Sequence, residues 1–151
     1  MNKNGFTLLE LLFTLSVLAI LILFSFSSLL QMKQKNEREF LINEIGNAIS
    51  YAKINARARG HTLTLLPKAP HINWSQGMEL FADETCEKLL YTWSWRLAYW
   101  HVEWLGVNGL KRIKLSGNTQ AMSNGRFVLT NIRTEEKITL YLNRLGRVKQ
   151  V

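Results

Sequence analysis

KNGFTLLELLFTL, residues 3–15, sets one carboxylate in an apolar run: Glu10 lies among Phe6, Leu8, Leu9, Leu11, Leu12 and Phe13. Beyond it, the 22 residues from Leu11 to Met32 carry no charge. At 1.5 Å rise per residue, that run makes about 33 Å of helix, enough to cross a hydrocarbon layer of about 30 Å. An ionised side chain at depth in such a layer is costly, so Glu10 calls for a partner. A cleaved secretory signal fits poorly, because its apolar region is roughly 7–15 residues long and ends in small residues. Here the run passes directly into Lys33-Gln34-Lys35-Asn36-Glu37-Arg38. Lys3 lies before the run and Lys33, Lys35 and Arg38 after it, so charge asymmetry alone leaves the orientation open.

Helical periodicity continues past the charge-free run. Leu41, Ile45, Ala48, Ile49, Ala52 and Ala56 form an apolar stripe, while Glu37, Glu39, Glu44, Lys53 and Arg57 occupy other faces. No proline interrupts Leu11 to Gly60, so the spacing predicts one helix from about Phe6 to Arg59. Gly60 follows as a stop, with Arg57 and Arg59 at the negative end of the dipole. The remainder reads as β: Thr62–Leu66, Met78–Ala82, Leu89–Trp95, Leu97–Leu105, Leu110–Leu115, Arg126–Thr130 and Lys137–Leu142. Pro67 and Pro70 are expected to end the first strand, and Asn108-Gly109 and Asn124-Gly125 to make hairpin turns. The expected architecture is α+β, a long helix whose amphipathic half is covered by an antiparallel sheet.

The chain has 151 residues, with 19 Lys and Arg against 11 Asp and Glu. The net charge of +8 favours acidic partners such as nucleic acid or anionic lipid. Cys86 is the only cysteine, which excludes an internal disulfide. His61, His71 and His101 are dispersed, and no nucleophile elbow, phosphate-binding loop or paired-carboxylate signature is present. No enzymatic activity, metal or cofactor is therefore expected. Tyr91, Trp93, Trp95, Tyr99, Trp100 and Trp104 crowd one region; their parity points to sheet core or an inter-subunit surface rather than to base stacking.

Gly5-Phe6-Thr7-Leu8-Leu9-Glu10 followed by a long apolar helix resembles the signal of type IV pilins and type II secretion pseudopilins. The resemblance implies cleavage by a prepilin peptidase between Gly5 and Phe6 and N-methylation of Phe6. It also implies a single-pass inner-membrane protein with a periplasmic globular domain. Glu10 is then an assembly residue, pairing with the amino group of a neighbouring subunit's first residue. The implied organisation is a leader at 1–5, a transmembrane and assembly helix at 6–32, and a pilin-like globular domain at 33–151.

Later segments resemble the GspH/FimT branch of these proteins. They are Ser50-Tyr51-Ala52-Lys53-Ile54-Asn55-Ala56-Arg57-Ala58-Arg59-Gly60, with Lys53 where Arg is usual, then Trp74-Ser75-Gln76-Gly77, and Gly146-Arg147-Val148-Lys149 at the end. The FimT-like members bind DNA for uptake in natural transformation through a C-terminal G-R-x-R tail, in which this chain has Lys149 for the last Arg. After Glu136 the chain has no acidic residue, but it has Lys137, Arg144, Arg147 and Lys149. These cations suit sequence-independent contacts to consecutive phosphates, with Lys111, Arg112 and Lys114 extending the patch if the sheet brings that strand near. The alternative is a GspH-like minor pseudopilin at the tip of a type II secretion pseudopilus, whose partners are other pseudopilins.

Overall fold

The computed structural model describes residues 7–69, 73–107, 111–116 and 122–151, and the side chains of all of these except 23–27. The chain divides into two compact units, one through Asn36 and the other Glu37–Val151. Helix α1 runs from Leu8 to Arg59.

In the first unit, Thr7 precedes the helix and exchanges hydrogen bonds with Glu10. The Glu10 N–H donates to Thr7 Oγ1 (3.3 Å), and the Thr7 N–H donates to Glu10 Oε2 (3.4 Å). This is a capping box, in which two otherwise unpaired donors of the first turn are satisfied reciprocally. Leu8, Leu9 and Phe13 are 78, 79 and 71% exposed, so none of the described residues covers this apolar surface. The expected span Leu11–Met32 contains the side chains 23–27, which lie outside the described residues. Among the described residues no helix is long and apolar enough to cross a membrane.

The second unit follows the expected stripe closely. Leu41, Ile45, Ala48, Ile49, Ala52 and Ala56 are all fully buried. At the end of α1, Gly60 adopts φ +71° and its N–H donates to Ala56 O at 3.0 Å, the left-handed stop that glycine takes without a Cβ penalty. Among the described residues eight strands follow: β1 Leu63–Pro67, β2 Gly77–Phe81, β3 Leu89–Ser94, β4 Trp100–Gly106, β5 Ile113–Leu115, β6 Gly125–Asn131, β7 Lys137–Leu142 and β8 Val148–Gln150. They form two four-stranded antiparallel sheets, ordered β3-β2-β1-β5 and β4-β6-β7-β8, rather than one.

This partition corrects the second turn expectation. β5 pairs with β1 in the first sheet and β6 with β4 and β7 in the second, so Asn124-Gly125 does not close a β5–β6 hairpin. Gly125 instead opens β6 where a Cβ would lie 2.5 Å from Leu105 O and 2.7 Å from the Trp104 ring. Asn108-Gly109 and Pro70 lie outside the described residues. Pro67 remains within β1 as its last residue, opposite Met78.

The strand expected from Leu97 begins only at Trp100, and the reason is a carboxylate. Glu37 accepts hydrogen bonds from the backbone N–H groups of Ala98 and Tyr99, the latter at 2.9 Å, which withdraws both from any ladder. Glu37→Ala should leave two N–H groups without their acceptor and cost about 2–3 kcal/mol, read as a lowered urea midpoint with an unchanged slope.

Between the sheets, Trp74 sits in a single 3-10 turn (Trp74–Gln76). It stands edge-on to Phe127, with ring centroids 5.6 Å apart, and Trp104 packs against the same ring at 4.7 Å with the planes tilted by 52°. Trp95, Trp100 and Trp104 are buried, as core residues. Tyr91 and Trp93 instead form an outward cluster with Tyr51, at 5.3 and 5.6 Å. Cys86 is half-buried, and desolvation holds its thiol above the usual range against the opposing pull of the Arg112 charge.

Candidate nucleic-acid interface

What reads in sequence as a basic tail is a hairpin. β7 and β8 pair through Leu140↔Gln150, Tyr141↔Lys149 and Leu142↔Val148, and the final residue's N–H, that of Val151, donates to Thr139 O. The connecting turn is held by Asn143, whose Oδ1 accepts from the N–H groups of Leu145 and Arg147, both at 2.9 Å. Gly146 completes it with φ +68°, packed so closely that a Cβ would lie 2.8 Å from both Lys53 Cδ and Met122 Cε. Lys53 reaches from α1 and donates to Leu145 O. The departure from Arg at this position thus has a structural use: a single ammonium holds the turn against the helix.

The locked turn sends its two arginines into separate clefts. Arg147 lines a cleft of about 550 Å³ with Lys53 and Arg57 of α1. Arg144 lines another, of about 620 Å³, with Arg126, Tyr141 and Leu105. Neither cleft has an acidic residue in its lining, and neither arginine is ion-paired among the described residues.

Register places further cations beside the second cleft. Leu105, Arg126, Tyr141 and Lys149 are successive cross-strand partners on β4, β6, β7 and β8. All four are exposed, while Trp104, Phe127, Leu140 and Leu142 of the opposite parity are buried. Lys137 opens β7 on the same outer face, opposite Thr130.

The other expected site residues are placed elsewhere. Lys114 lies on β5 in the first sheet and pairs with Glu84 at 2.8 Å, and Arg112 donates to Glu84 O at 3.4 Å. Lys111 lines a third cleft with Trp74, His101 and Glu103. Strand pairing thus separates β5 from the hairpin, and Glu84 already neutralises one of its cations. Gly5 and Phe6 lie outside the described residues, while Glu10 is in the helix's first turn as described above.

Lys53, Arg57, Arg126 and Tyr141 are the site residues that sequence reasoning missed. A signal existed for two of them. Tyr141 has opposite parity to Ile138, Leu140 and Leu142, and Arg126 precedes Phe127 in a strand that alternates in the same way.

Residues 1–26 match the model of a family described as the prokaryotic N-terminal methylation motif. With the long N-terminal helix and the antiparallel sheets, the chain has a type IV pilin-like fold behind that motif. Among solved structures, the chain is similar to the type IV minor pilin FimU of Pseudomonas aeruginosa in two crystal forms. One has a TM-score of 0.63 at 13% identity, covering 78% of this chain and 90% of FimU. The other has a TM-score of 0.58 at 12% identity, covering 75% and 91%. At these identities the likeness shows the fold. No curated protein matches the chain.

Proposed function

We propose that this chain is a minor type IV pilin, an assembly and binding subunit rather than an enzyme, that takes up DNA through its C-terminal hairpin in the manner of FimT-like members. Prepilin peptidase cuts it between Gly5 and Phe6 and the new amine of Phe6 is methylated. Leu11–Met32 holds it in the inner membrane until Glu10 recruits it into a filament with other pilins. The N-terminal motif supports the processing and anchoring, and the FimU-like fold supports a minor pilin. The observation that carries the DNA reading is the locked turn, which presents Arg144 and Arg147 in two clefts without acidic lining. Fixed cations of this kind bind phosphates without reading sequence and release counterions as they do so.

The test is the double variant Arg144→Gln/Arg147→Gln of the full chain in non-ionic detergent. Its affinity for a mixed-sequence duplex should fall at least tenfold. The slope of log affinity against log salt should shrink by about 1.8, or about 0.9 for each phosphate that is no longer neutralised. Wild-type affinity in that variant would remove the hairpin from DNA binding.

A second reading, a GspH-like pseudopilin of type II secretion, draws on the cluster in which the exposed Tyr51 and Tyr91 meet the half-buried Trp93. Paired aromatic rings at a surface suit a protein neighbour. Under it, the double arginine variant is silent and changes at Tyr91 and Trp93 disrupt assembly.

A further inference from the structure

Resting on the DNA reading, we infer that the nucleic acid held at this surface is single-stranded, with a base stacked on Tyr141 between the cations of Arg126 and Lys149. In the second sheet these three residues are direct cross-strand partners, so Tyr141 has a cation on either side within one row. Adjacent strands lie about 4.8 Å apart, so the row from β6 to β8 spans about 10 Å, room for one base between two phosphate-binding groups. Tyr141 is 43% exposed, and Arg144 enters the same cleft from the turn. Leu105, 45% exposed, ends the row on the far side of Arg126.

The chemistry separates the two forms of DNA. In a duplex the base faces are covered by their neighbours, and a surface ring can reach only sugar and phosphate. A single strand offers its π-faces freely, and stacking on an aromatic side chain with cations alongside is how sequence-tolerant single-strand sites are built. The first cleft, with Lys53, Arg57 and Arg147, has cations without an aromatic ring and serves the backbone alone.

The experiment measures binding of the full chain, in non-ionic detergent, to oligo-thymidylate and to a mixed duplex of equal length at one salt concentration. Wild type should bind oligo-thymidylate more tightly than duplex. Tyr141→Ala should weaken oligo-thymidylate binding roughly 5- to 150-fold, the loss of one base stack, and change duplex binding less than about twofold. Tyr141→Phe should keep wild-type affinity for both. Tyr141→Leu, which preserves apolar bulk without a π-face, should behave as Tyr141→Ala and guards against a variant that fails to fold. Equal loss on both ligands, or no loss on oligo-thymidylate, overturns the inference. Wild type that binds duplex but not oligo-thymidylate also overturns it while leaving the DNA reading intact. Binding to neither removes both.

Discussion

Gly77→Ala should lower the stability of the unit Glu37–Val151 by about 3–5 kcal/mol, combining backbone strain with forced displacement of a packed neighbour. Gly77 ends the 3-10 turn and begins β2 with φ +132° and ψ −168°, a conformation that side-chain-bearing residues rarely adopt. A Cβ there would lie 2.1 Å from Trp93 O, 3.0 Å from Trp93 C and 3.1 Å from Ser94 Cα. Those are backbone atoms of β3, paired to β2 through Gly77↔Ser94 and Met78↔Trp93, so they cannot yield without opening the ladder. Moving β2 the other way drags Trp74, whose carbonyl would lose its bond from the Gly77 N–H and whose ring rests on Phe127. Urea unfolding followed by tryptophan emission measures the loss. A change under about 1 kcal/mol, the scale of an ordinary glycine-to-alanine exchange, would mean that β3 is not held where the register puts it.

Glu10→Ala should leave the protein in the membrane and exclude it from filaments, with incorporation reduced at least a hundredfold if a buried ion pair worth about 3–5 kcal/mol is broken. Retention is expected because the change removes the one charge from the apolar run. Exclusion is expected because the carboxylate is only lightly used in the single chain. The bonds it accepts from Thr7 are 3.4 and 3.5 Å long, and an ionised carboxylate has lone pairs to spare for an ammonium partner. The capping box provides the control. Glu10→Gln keeps the reciprocal bonds with Thr7 but cannot neutralise an amine. If Glu10→Gln assembles normally, the side chain serves the helix's first turn and the inter-subunit ion pair is wrong. If it fails as Glu10→Ala does, charge is what assembly requires. Filament fractions probed against total membrane protein decide between them.

Helix α1 was legible because its signals are local. The six stripe residues recur at i, i+4, i+7, i+8, i+11 and i+15, all six are fully buried, and Gly60 stops the helix as its residue type suggests. β7 was equally legible, with Ile138, Leu140 and Leu142 buried and bounds of Lys137–Leu142 as expected. What stayed hidden was pairing. Alternation tells which face a strand buries and says nothing of its neighbours, so one sheet was expected where two exist. β8 has three residues and no apolar alternation, and it exists because Asn143 folds the chain back. Glu37 showed as an exposed helix charge, because the backbone donors it serves lie more than sixty residues away. At the candidate interface, Arg144 and Arg147 stood out by composition. Their separation into two clefts depends on Gly146 and Lys53, and the Arg126-Tyr141-Lys149 row exists only once register is fixed.

The bond from Lys53 to the Leu145 carbonyl also has a mechanical meaning. Under the proposed function, a filament would hold α1 while bound DNA would load the hairpin near Gly146. Because Lys53 ties those two points directly, tension crosses from turn to helix in one step and is shared with the β6–β7 ladder, instead of peeling β8 from the sheet edge.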